Sequence, residues 1–135
     1  MPKPMRTRPV AKSQVRAYAN KAREYGEAAS NEFNSERHVA ATSLAIHAAI
    51  NAADAVCGAR LGKRAASEDH DQVLSLLKQA GPDGSAVAKE LRRLLPLKTK
   101  AEYEPDGIAA GVARKAVERS QRCVAVAQAV TLTIE

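Results

Sequence analysis

From Glu36 to Gly62 the chain reads ERHVAATSLAIHAAINAADAVCGARLG, with no proline and no internal turn signal, and this stretch restricts the fold more than any other. A run that long and apolar on nearly every side is a buried helix, so the rest of the chain has to wrap it. Val39, Ser43, Ile46, Ile50, Ala53 and Cys57 make one apolar seam. Thr42, Ala45, Ala49, Ala52, Val56 and Ala59 make a second, of mostly small side chains that let neighbouring helices approach closely. The third stripe is polar, with His47, Asn51 and Asp54 at i, i+4 and i+7. Such a line is either a hydrogen-bonded core network that fixes helix register or one wall of a binding site, and both readings stand at this point.

What surrounds that helix is helical too. Aromatic residues are only 3% of the chain and much of the hydrophobic content is alanine, which favours close-packed helices over a sheet. Val15, Tyr18, Ala22, Tyr25, Ala29 and Phe33 recur at helical spacing in a first amphipathic helix over about 11–33, and Asn34-Ser35 then turns the chain back on itself. Asp69 with Gln72 resembles a capping box ahead of a short third helix that stops at Gly81-Pro82. Val87, Leu91, Leu94 and Leu95 set a fourth helix, interrupted by Pro96. A final long helix, capped by Asp106, carries Ile108, Val112, Ala116, Cys123, Val124, Ala127 and Val130 inward. The expected fold class is all-α, an up-down antiparallel bundle of four to five helices filling one domain over residues 11–135. Residues 1–10, with Pro2, Pro4 and Pro9 interleaved with Lys3, Arg6 and Arg8, are expected to form a disordered basic arm.

Charge and residue spacing narrow the chemistry. A formal net charge of +6 raises the prior for an anionic partner without establishing one. Cys57 and Cys123 both fall on apolar helical stripes, where cysteine acts as a small hydrophobe of the reducing cytosol. No histidine or cysteine spacing matches a zinc site and no glycine-rich loop has the form that cradles phosphate, so neither a metal nor a cofactor is expected. No signal peptide and no membrane span is expected either, which places the protein in the cytoplasm. Arg92, Arg93, Arg114, Lys115, Arg119 and Arg122 read most simply as a solvated basic face, since no aromatics are interleaved for base stacking.

The segment Leu97-Lys98-Thr99-Lys100-Ala101-Glu102-Tyr103-Glu104-Pro105 stands apart, lying after a leucine-rich helix and the long alanine-rich one, and ahead of the final helix. This order of elements resembles the HEPN domain, a small helical bundle of prokaryotic toxin–antitoxin and defence proteins, over about residues 11–131. In catalytic members an Arg, a polar residue and, three variable residues later, a His from two subunits form a metal-independent RNA-cleaving site. The resemblance lays those positions on Lys98, Thr99 and Tyr103, so both key residues are replaced, in a K-x-x-A-E-Y form similar to a subgroup with R-x-x-A-D/E-Y. Lysine offers phosphate one compact charge where arginine offers a rigid fork. The histidine-to-tyrosine change is graver, because imidazole titrates near neutrality and phenol near pH 10.

The resemblance therefore implies an RNA- or nucleotide-binding domain, a degenerate metal-independent ribonuclease, and a homodimer with a nucleotidyltransferase or antitoxin as partner protein. Lys98 and Tyr103 stand at the catalytic positions, with His47, Asn51, Asp54, Thr99 and Glu102 as binding residues. For Lys98 and Tyr103 the bland alternative is a solvated lysine and a tyrosine plugging the bundle end. The alternative for the whole protein is a non-enzymatic dimeric interaction or scaffold subunit. An active ribonuclease is a third reading, and it would need a histidine from elsewhere, for which His47 and His70 are the in-domain candidates.

Overall fold

The computed structural model describes residues 5–66 and 69–134. Two long helices come first, α1 (Lys12–Asn34) and α2 (His38–Leu61), followed by α3 (His70–Gln79), α4 (Gly81–Leu94), the short α5 (Lys98–Tyr103) and α6 (Ala110–Thr131). The antiparallel helical bundle expected from the sequence is what forms. By length and composition α2 alone among the described residues would suffice to cross a membrane. Here it is the central helix, packed mainly on α1 and α6 and also on α4, and its alanines 41, 45, 48, 49, 52 and 53 are almost wholly buried. The two cysteines are free and buried, and burial pushes both thiols up to about 12.

The turn between α1 and α2 is tight and stores some strain. The Glu36 N–H donates to the Phe33 carbonyl (3.0 Å) and the Arg37 N–H to that of Glu32 (2.9 Å), a Schellman closure that puts Glu36 at φ 62°. A glutamate there occupies the left-handed region that glycine would enter freely. The α2 C-terminus uses the ordinary solution, Gly62 at φ 70°.

One sequence expectation changes at the start of the chain. Residues 7–10 do not form a mobile arm: Thr7–Pro9 is a strand, β1, paired antiparallel with β2 (Lys63–Ala65), and Val10 is buried. The ribbon is held by Val10 N–H to the Gly62 carbonyl, Ala66 N–H to that of Arg6, and Arg6 N–H to the Gln72 side chain. Gly58 makes this possible, because a Cβ there would sit 2.7 Å from a Val10 methyl. Pro9 falls opposite Lys63, between the hydrogen-bonded pairs, where a missing N–H is harmless. Pro2, Lys3 and Pro4 lie outside the described residues. Asp69 caps α3 as expected, accepting from the Asp71 N–H at 2.9 Å, while Gln72 turns to the arm and not to the cap.

The last helix starts at Ala110, so Asp106 does not cap it; Pro105 and Gly107 keep the preceding residues out of helix. After Pro96 the chain passes through a 3₁₀ turn, Leu95–Leu97, directly into α5, which packs on α2. A small satellite core of Ala101, Ile108 and Ala113 with Phe33 pins α5 and the following loop to α1.

Candidate functional site

The ends of four elements converge beside α2 on a cavity of about 360 Å³. Its polar lining is His47 and Asp54 from α2, Arg64 from β2, His70 from the first turn of α3 and Lys98 from the first turn of α5; Ile50, Val73 and Leu95 supply apolar wall. Two of the three stripe residues on α2 thus share the cavity lining with Lys98. Asn51 does not: it is buried, and its side-chain amide donates back to the His47 carbonyl at 2.8 Å, which satisfies it within the helix.

His47 is fixed from two sides. Its Nε2 lies 3.1 Å from Glu102 Oε1 on α5, and its ring stands 5.5 Å from the Tyr25 ring of α1. The Ser43 hydroxyl reaches the same Glu102 oxygen at 3.5 Å. Glu102 therefore lies outside the cavity lining and acts as the tie that holds α5, and with it Lys98, against α2. Thr99 is exposed and does not line this cavity. Tyr103 is 75% exposed at the end of α5, outside the cavity, and does not plug the bundle end.

Electrostatically the cavity is a basic rim around one carboxylate. Burial raises the Asp54 carboxyl from 3.8 to about 7, with Arg64 and Lys21 pulling it back down. That puts a group able to hold or release a proton near neutrality next to cations able to hold an anion. Arg64 is itself positioned, its guanidinium 5.8 Å from the Tyr18 ring centroid and one nitrogen donating to the Ala65 carbonyl at 3.2 Å. Among the described residues no group of three or more His, Cys, Asp or Glu is placed to hold a metal ion.

Arg64 and His70 are the residues that sequence reasoning undervalued. The first stands among the basic residues just past the buried helix and the second is only a fallback histidine, and their one signal is that both bracket the loop leaving that helix. The supposed basic face is also less free than expected. Arg119 and Arg122 both donate to the buried Glu90 carboxylate, at 2.9 and 3.1 Å, so they neutralise an internal charge. Arg60 pairs with Asp83 at 2.8 Å.

The family model of the HEPN domain matches residues 15–134, nearly the whole bundle. A search of the curated proteins gave no match to this chain.

Proposed function

Since the chain belongs to the HEPN domain family, we propose that it binds RNA or a nucleotide-type anion in the cavity beside α2, as a degenerate relative of the family's metal-independent ribonucleases in a toxin–antitoxin or defence system. The observation that carries this reading is the convergence of Arg64, Lys98, His47 and His70 on one cavity around Asp54. Its volume suits a group the size of a nucleotide, and Lys98 and Arg64 supply the charge that a phosphate needs. Cleavage is the weaker part of the inheritance. The position that would carry the family's histidine is Tyr103, and it is exposed to solvent outside the cavity lining. The protein would work as a homodimer, with a nucleotidyltransferase or antitoxin as its further partner.

The test is binding of a short fluorescent single-stranded RNA at low salt. Wild type should bind, Lys98→Ala should weaken binding by about tenfold, and affinity should fall steeply as salt rises. No binding at low salt would remove the reading. Metal-independent cleavage that Lys98→Ala abolishes would instead make the protein an active ribonuclease. The second reading, a non-enzymatic dimeric subunit, draws on the exposed ring of Tyr103 and would be favoured by a stable dimer that ignores RNA.

A further inference from the structure

The β1–β2 ribbon sets two arginines against each other. In its register Arg8 is directly opposite Arg64, and residues so paired share one face of the ribbon. The alternation of ladder bonds, with Val10–Gly62 and Arg6–Ala66 hydrogen-bonded, makes this a hydrogen-bonded pair with Cα atoms about 5.5 Å apart. Like charges directly opposite are destabilising, and neither guanidinium is hydrogen-bonded to a carboxylate among the described residues. Arg64 lines the cavity, whereas Arg8, its partner across the ribbon, is exposed and does not line it. The arrangement is costly as it stands and favourable once an anion lies between the two side chains.

We infer that Arg8 and Arg64 form a second phosphate subsite at the mouth of the cavity, so that the site takes a ligand bearing two phosphoryl groups in preference to one. This rests on the binding function proposed above and adds to it. One phosphoryl group sits inside with Arg64 and Lys98, and the second lies over the ribbon between Arg64 and Arg8. A nucleoside diphosphate and a 5′-phosphorylated dinucleotide both present that chemistry, the first with adjacent phosphates and the second with a nucleoside between them.

Titrating the full chain at low salt with AMP, ADP and the dinucleotide pApA, followed by amide chemical shifts, tests this. Wild type should bind ADP or pApA about fivefold more tightly than AMP, and whichever of the two gains identifies the source. Arg8→Gln should erase that ratio while leaving AMP affinity unchanged, and Arg8→Lys should keep part of it. Arg93→Gln, which removes an equal charge from the exposed face of α4, should leave the ratio intact. The subsite is refuted if wild type binds all three alike, if Arg8→Gln weakens all three equally, or if Arg93→Gln has the same effect. In those cases AMP still binds and the cavity reading survives. If wild type binds none of the three, the subsite falls together with nucleotide binding in the cavity.

Discussion

Asp54→Asn should stabilise this protein at pH 8 and leave it nearly unchanged at pH 4. The carboxyl titrates at its ordinary value in the unfolded chain but is pushed from 3.8 up to about 7 in the fold, chiefly by burial. Between those values the folded state holds a proton that the unfolded state has released, so stability falls as pH rises from 4 to 7 and stays reduced above. A rise of about three units at 1.36 kcal/mol each sets a ceiling of about 4 kcal/mol. Water entering the open cavity screens part of it, leaving about 2 kcal/mol. Asparagine has nearly the same shape and cannot ionise, so the variant escapes the loss. For a chain of 135 residues the gain is about 7 °C in Tm. Urea unfolding of both proteins at pH 4, 6 and 8 at one ionic strength isolates the effect, because every other titrating group is common to both. A stability difference that is flat with pH, or a variant less stable at pH 8, would refute the claim that Asp54 is ionised at a cost.

Three more outcomes follow from contacts elsewhere. Glu36→Gly should raise the urea midpoint, by about 0.5–1 kcal/mol in unfolding free energy, since it relieves a left-handed backbone position. Gly58→Val should cost about 1–3 kcal/mol and release the ribbon, seen as lost hydrogen-exchange protection at Val10 and Ala66 while α2 stays protected. Glu90→Ala should cost about 3 kcal/mol in thermal or chemical unfolding, because it leaves Arg119 partly buried without its partner; combining it with Arg119→Met should recover part of the loss.

The bundle was legible because one helix dominates it. An alanine-rich run that is apolar all round has to be central, and the helical spacing of the α1 and α4 apolar residues shows which faces meet it. The Lys98 side of the site was legible through His47 and Asp54, whose spacing puts them on one stripe. Asn51 shares that stripe, but spacing cannot tell a side chain that enters a cavity from one that bonds back to its own helix. The ribbon was hidden. Thr7-Arg8-Pro9 and Lys63-Arg64-Ala65 have neither the alternation nor the β-branched content of strands, and each finds its strand partner only across the whole α1–α2 hairpin. Arg64 was missed for the same reason, because its place in the site depends on that pairing. Glu90 was hidden by its type, since a carboxylate amid arginines on a helix reads as surface until packing buries it.

The ribbon also imposes an order on folding. The α1–α2 hairpin closes through neighbouring residues and can form early, whereas β1 meets β2 only after both helices have brought the two ends of the hairpin together. The guanidinium of Arg64 acquires its neighbour Arg8 at that last step. A collapsed chain whose ribbon has not yet zipped would carry a complete helical core and half of the proposed anion site, so helical content should recover before affinity for the proposed ligand during refolding.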